Sequence, residues 1–154
     1  MKKYYLAYGS NLDVQQMSWR CPHARAVGVA VLEDWRLLFR GSKSGSYLTI
    51  EPSVGSKVPV GVWEVTASDE AALDRYEGFP IFYYKRTLPI QMADFAGGLH
   101  DIEAMVYIMH EDRPLGVPSR SYVEICATGY EDFGFDLEPL KAAVAASVRE
   151  VKSA

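Results

Sequence analysis

Tyr8-Gly9-Ser10-Asn11-Leu12 follows the apolar run Tyr4-Tyr5-Leu6-Ala7 and precedes a polar segment that begins near Asp13. A glycine at such a corner lets the backbone turn sharply and approach a ligand, and leaves the next N–H groups unpaired and convergent. That is a cradle for an anion or an oxyanion. The Ser10 hydroxyl and the Asn11 amide add side-chain hydrogen bonds, and a helix that follows aims its positive end at the same point. Gly, Ser and Asn are also ordinary turn and cap residues, so these five residues alone describe a plain strand-to-helix turn at least as well.

Outward from the corner, the spacing predicts a strand over 3–7 and a short helix over 13–20 that Pro22 stops. Small and β-branched residues over 24–31 predict a strand buried on both faces, and 35–40 a further one. The stretch 41–46, Gly-Ser-Lys-Ser-Gly-Ser, has the composition of a phosphate loop without its GxxxxGK[ST] spacing, and a flexible strand connection is expected. Strands at 48–50 and 58–65 lead to Ser68-Asp69-Glu70, which reads as an N-cap with two acids in a first helical turn. Asp69, Glu70 and Asp74 are expected as charges on that helix's face. Gly78 and Pro80 end the helix, which leaves Glu77 at its C-terminus beside unpaired carbonyls, where a carboxylate is disfavoured. Strands at 83–92 and 102–109, joined near Gly97-Gly98, a helix from about Arg120 and a last amphipathic helix over 137–151, lying across the sheet, complete the chain. The fold class is α+β, a curved sheet or small mixed β-barrel flanked by helices.

At 154 residues and 49% hydrophobic, the chain suits one domain, 1–154, with a single core. A net charge of -4 spread without long blocks gives no basic stripe for nucleic acid. Two cysteines, Cys21 and Cys126, are too few for a disulfide framework, so a reduced, cytoplasmic setting is expected. The apolar run after Met1-Lys2-Lys3 breaks at Gly9, too early for a signal peptide, and no stretch reaches membrane-spanning length. Cys21-Pro22-His23 lacks a second ligand pair at zinc spacing, and Ser10 lacks a hydrolase context, so no metal site and no serine nucleophile are expected.

On three stretches the chain resembles the γ-glutamylcyclotransferase family: Tyr8-Gly9-Ser10-Asn11-Leu12, Leu73-Asp74-Arg75-Tyr76-Glu77-Gly78, and Pro118-Ser119-Arg120-Ser121-Tyr122. The resemblance implies a small mixed β-barrel flanked by helices. It implies a substrate loop at Tyr8, Gly9, Ser10, Asn11 and Leu12, a general acid/base at Glu77, and two substrate-contacting tyrosines, Tyr84 seven positions later and Tyr122. The bulky stretch 78–83 and the loop at 41–46 depart from the family pattern and bear on the leaving-group pocket.

The implied reaction is an intramolecular acyl transfer: the α-amino group of a γ-glutamyl compound attacks its own γ-carbonyl, giving 5-oxoproline and a free amine or amino acid. It needs no cofactor and no metal, and its partner is a small γ-glutamyl molecule. Apolar neighbours such as Phe79 and the negative helix end would raise the Glu77 pKa toward ~6 to 7. A cyclotransferase for γ-glutamyl amines or a γ-glutamyl natural product, and a non-catalytic small-molecule module with the same pocket, stay open, as does the choice between monomer and homodimer.

Overall fold

The computed structural model describes residues 2–42 and 45–153. Its largest feature is a pair of long antiparallel strands, β2 (Arg25–Ser42) and β3 (Gly45–Val65). Four short strands were expected here, and the structure joins them into two. The expected breaks persist as a bend. Between the pairs Glu33↔Lys57 and Trp35↔Pro52, β3 carries residues 53–56 against Asp34 alone. Asp34 has a φ of 64°, and its carboxylate accepts a hydrogen bond from the Gly55 amide at 2.9 Å. Extra residues on one strand bend the ladder and increase its twist.

The segment 24–31 is not buried on both faces as expected. It alternates, with Ala30 buried and Val31 half exposed, because only one side of β2 meets the core. The expected connection at 41–46 is ladder where it is described, Gly41↔Ser46 and Ser42↔Gly45, and residues 43 and 44 lie outside the described residues.

The remaining elements are β1 (Lys3–Ala7), α1 (Val14–Arg20), α2 (Ala67–Glu77), β4 (Tyr83–Asp94), β5 (Leu99–Met109), α3 (Arg120–Asp132) and α4 (Glu138–Ser153). The sheet closes into a barrel in the order β1-β3-β2-β4-β5; β1 runs parallel to β5 and the other neighbours are antiparallel. The chain is therefore α+β, a mixed barrel with helices outside it. Closure between β2 and β4 rests on the pairs Gly28↔Asp94 and Val29↔Ala93. A Cβ on Gly28 would lie 2.5 Å from the Ala93 carbonyl oxygen, so this seam admits no side chain there. Helix α4 lies against β2, buries Leu140 and Ala143, and pairs Glu150 with Arg36 at 3.7 Å. No helix among the described residues is long and apolar enough to cross a membrane.

Helix α2 starts earlier than expected. Its N-cap is Thr66, not Ser68: the Thr66 hydroxyl accepts from the Asp69 amide at 3.2 Å and the Asp69 carboxylate accepts from the Thr66 amide at 3.0 Å. This reciprocal pairing satisfies two donors that a helix start leaves open. Nor are the three acids of α2 merely solvated face charges. Asp69 is buried, Glu70 bonds Lys3 and Lys85, and Asp74 accepts from Lys85 and from the Tyr107 hydroxyl. They bind α2 to β1, β4 and β5, which aims the helix's last residue at the barrel's end.

Between β1 and α1 the chain makes a 3-10 turn over Ser10–Leu12, and α3 presses on it. The contact is made at Gly129, where a Cβ would lie 2.5 Å from the Asp13 nitrogen and 2.5 Å from Leu12 Cβ. Gly129→Ala should therefore destabilise the protein by about 1–3 kcal/mol, as overpacked sites do. Urea unfolding checks this, and an unchanged midpoint would show that α3 is not seated against the turn.

Candidate active site

The 3-10 turn spends its own hydrogen bonds on Leu12 N to Gly9 O (3.0 Å) and Asp13 N to Ser10 O (3.1 Å). The amides of Gly9, Ser10 and Asn11 come before any acceptor the turn can offer, and these three residues line a cavity. Trp63 Nε1 donates to the Asn11 carbonyl at 3.1 Å, which ties the turn to β3. Leu12 is fully buried beneath the turn and in reach of two glycine positions, since a Cβ on Gly61 would lie 2.8 Å from its Cδ2. At Gly9 itself a Cβ would stand 3.2 Å from the Tyr122 hydroxyl oxygen, closer than most side-chain contacts. The turn thus packs close against the opposite wall.

The cavity measures about 280 Å³ and is walled largely by aromatic rings. Phenol hydroxyls are satisfied by the scaffold: Tyr8 donates to the Tyr107 carbonyl at 2.7 Å, Tyr83 to the Leu48 carbonyl at 2.8 Å, and Tyr122 accepts from the Leu48 amide at 3.2 Å. Such bonds hold the rings in place and leave their faces and edges to define the space. Ser10 Oγ and the Tyr76 hydroxyl lie 3.0 Å apart at the cavity's edge.

Glu77 enters this cavity from the end of α2. Gly78, in the left-handed conformation, closes the helix by donating to the Arg75 and Asp74 carbonyls. Glu77 keeps a partial opening to solvent through the cavity, and protein crowds the rest of its carboxyl. Desolvation pushes its pKa up to about 8, with the Arg20 guanidinium pulling the other way. Asn11 Nδ2 lies 3.5 Å from Glu77 Oε1, the outer reach of a hydrogen bond, and the same nitrogen donates to the Tyr5 hydroxyl at 2.9 Å. A proton acceptor of raised basicity thus faces a turn rich in donors, the arrangement acyl chemistry requires.

The structure brings Tyr8, Gly9, Ser10, Asn11, Glu77 and Tyr122 to one cavity and leaves two of the expected residues out of it. Leu12 supports the turn from below. Tyr84 points outward, its hydroxyl donating to Glu111 at 2.5 Å and its ring against His110. Its neighbour Tyr83 is the one that faces in, because successive strand residues alternate between faces. Counting from Glu77 fixes a position along the chain, whereas the face depends on where β4 begins to pair. Phe79 likewise turns away to meet Lys85, whose Nζ is 4.2 Å from the ring centre, and Phe82 takes the place against the cavity. Tyr5, Tyr107 and Tyr47 also line it, and Arg20, expected only as a helix end, reaches Asn11. Strand alternation could have proposed Tyr5 and Tyr107 once the inner face was known. No local signal marks Arg20.

Residues 5–124 match the family model described as Gamma-glutamyl cyclotransferase, AIG2-like, a span that holds all three sequence motifs. Over 143 residues the chain is 32% identical to the Gamma-glutamylcyclotransferase of Homo sapiens, covering 87% of this chain and 73% of the human protein. Identity and coverage are the same for the protein of that name from Bos taurus. A solved structure of a Gamma-glutamyl cyclotransferase superposes with a TM-score of 0.75 at 28% identity, covering 93% of this chain and 86% of that one.

A carboxyl whose pKa is about 8 when folded against 4.5 ordinarily keeps its proton after the unfolded chain has lost its own. Stability from this group is full below 4.5 and is lost as pH rises through 8. Glu77→Gln, which cannot ionise, escapes that loss. Its melting temperature should pull ahead of the parent's between pH 5 and pH 8.5 and then hold a constant lead. Thermal unfolding across this range checks it, and a lead that does not change with pH would mean an ordinary, solvated carboxylate.

Proposed function

The chain belongs to the gamma-glutamyl cyclotransferase, AIG2-like family, and from that premise we propose that its cavity folds a γ-glutamyl compound onto itself while Glu77 carries the protons. The enzyme is of the γ-glutamylcyclotransferase type and releases 5-oxoproline with a free amine or amino acid. Nucleophile and electrophile sit in one molecule, so the protein supplies no attacking residue. It restrains the substrate near its cyclic shape and manages charge.

The α-nitrogen arrives as an ammonium and ends as a lactam N–H, so it sheds two protons: one before it can attack and one as the new C–N bond forms. Both end on the departing nitrogen, which leaves as an ammonium at neutral pH. One carboxyl can shuttle them in turn. An α-ammonium has a reference pKa of about 8, so a glutamate at its ordinary ~4.3 would take that proton only against a penalty of about 5 kcal/mol. Glu77, with a pKa of about 8, is matched to the task in both directions. The resting site holds the neutral acid, and the incoming ammonium favours the carboxylate that accepts its proton.

The γ-carbonyl oxygen becomes an oxyanion when the ring closes. We assign its stabilisation to the amides of Gly9, Ser10 and Asn11, each well-aimed donor typically contributing about 3 kcal/mol to the transition state. Tyr8, Tyr83 and Tyr122 shape the space and exclude water from it. The observation that carries this reading is the shared cavity of Glu77 and the turn, with Asn11 Nδ2 3.5 Å from Glu77 Oε1.

The test is 5-oxoproline release from a panel of γ-glutamyl amino acids and γ-glutamyl amines. Glu77→Gln should bind the best substrate in calorimetry and lose about 10²- to 10⁴-fold in kcat. For the parent, kcat/KM should climb as pH rises toward 8, since its acid limb reports Glu77 in the free enzyme. Undiminished turnover by the variant would take Glu77 out of the mechanism.

A further inference from the structure

Arg20 lies outside the cavity at the end of α1, its guanidinium stacked on the Tyr76 ring 3.4 Å from the centre. Nη2 donates to Gln16 Oε1 at 3.2 Å and Nη1 donates to Asn11 Oδ1. A primary amide has one accepting end and one donating end. With Oδ1 engaged by Arg20, the Asn11 donors face the site, one to the Tyr5 hydroxyl and one to Glu77 Oε1. Tyr5 could serve as donor or acceptor and does not by itself decide which way the amide lies. Arg20 has only donors, so it does decide.

We propose that Arg20 is a positioning residue for the cyclisation, gripping the Asn11 carbonyl from outside so that the amide presents its N–H to the Glu77 carboxylate. A hydrogen bond to a charged acceptor is about twice as strong as one between neutral groups, so this orientation favours the ionised form that receives the substrate's proton. The reversed amide would set an oxygen against the carboxylate and favour the neutral acid. Stacking on Tyr76 and the bond to Gln16 restrain the guanidinium, and the Tyr76 hydroxyl in turn meets Ser10.

The phenols that line the cavity with Glu77 are Tyr5 of β1, Tyr8 just beyond it, Tyr83 of β4, Tyr107 of β5 and Tyr122 of α3, together with the exposed Tyr47 of β3 and Tyr76 of α2. Burial raises the first five above their ordinary range. They remain neutral through the working pH range. Among the described residues that act electrostatically on the Glu77 carboxyl, Arg20 is the cation.

This inference rests on Glu77 as the proton carrier, so its test includes a readout that needs no turnover. Arg20→Met keeps a stem to lie on Tyr76 and removes the donors, and Arg20→Lys restores a charged donor. The Glu77 carboxyl is titrated by carbon-13 NMR in the free enzyme, alongside the pH profile of kcat/KM. In Arg20→Met the carboxyl titration and the acid limb should both move up by about one pH unit, so that kcat/KM at pH 7 falls about tenfold and recovers at higher pH. Arg20→Lys should return most of that shift. Combining Arg20→Met with Asn11→Ala should give a smaller shift than the two single variants sum to, since in the Asn11→Ala background the guanidinium keeps its own field on Glu77 but has no amide to grip.

A rate loss that is uniform with pH, with the carboxyl titrating as in the parent, would make Arg20 merely structural and overturn the proposal. Shifts that simply add in the double variant would leave Arg20 nothing beyond its direct field and overturn the proposal. If Glu77 does not carry the protons, Glu77→Gln turns over normally whatever Arg20 does.

Discussion

Everything at the site follows from placing one carboxyl where water cannot fully solvate it. Glu77 ends a helix in a cavity walled largely by tyrosines, and desolvation there raises its pKa to about 8. A surface glutamate beside the same turn would be a weak base, unable to relieve an α-ammonium of its proton at useful cost. The sequence-level expectation of a raised pKa was right in direction and incomplete in cause. Phe79 faces Lys85, and the desolvation expected from apolar neighbours comes instead from tyrosines brought from several strands.

Such a carboxyl is intrinsically destabilising when charged, so the elements that hold it must be secured by other means. Helix α2 is fixed at its start by the Thr66–Asp69 capping box, a device of about 1 kcal/mol. Along its length Glu70 and Asp74 grip Lys85 and Tyr107 from the barrel. Burial alone would raise the Glu70 pKa, but hydrogen bonds from Lys85 and Lys3 outweigh it and hold the carboxyl below its usual range. Glu70, unlike Glu77, is paired with cations, and pairing keeps it charged while Glu77 rests neutral. The donor turn is held by shape instead: Leu12 below it, Gly129 of α3 above it and Trp63 bonding its carbonyl. Acid and cradle are thus fixed by separate supports that meet where Asn11 reaches Glu77 and where Ser10 and Arg20 meet Tyr76.

Much of the architecture could be read one segment at a time. Glycine and proline punctuation marks the end of α2 at Gly78, and α3 starts at Arg120 as expected, with Ser119 as its N-cap. The split of β2 and β3 into short strands was an error with a physical origin. A bulge and a bend interrupt the apolar pattern without breaking the ladder, and composition cannot tell an interruption from an end. Placing the N-cap at Ser68 failed for a related reason, because Thr66 and Ser68 are both good caps and only the reciprocal bond with Asp69 selects between them.

At the site, the residues that local chemistry makes distinctive were legible: a glycine turn with flanking polar side chains, and a glutamate at a helix end before glycine. These properties belong to a few consecutive residues, so the amino-acid order alone determines them. The choice of Tyr83 over Tyr84 was decided by the fold, since strand faces acquire meaning only when β4 takes its register against β5 and the barrel closes. The same holds for Arg20, nine positions beyond Asn11 and reaching back to it from the end of a helix. Its role depends on where α1 and α2 come to lie against each other, a relation of packing that no stretch of sequence carries by itself.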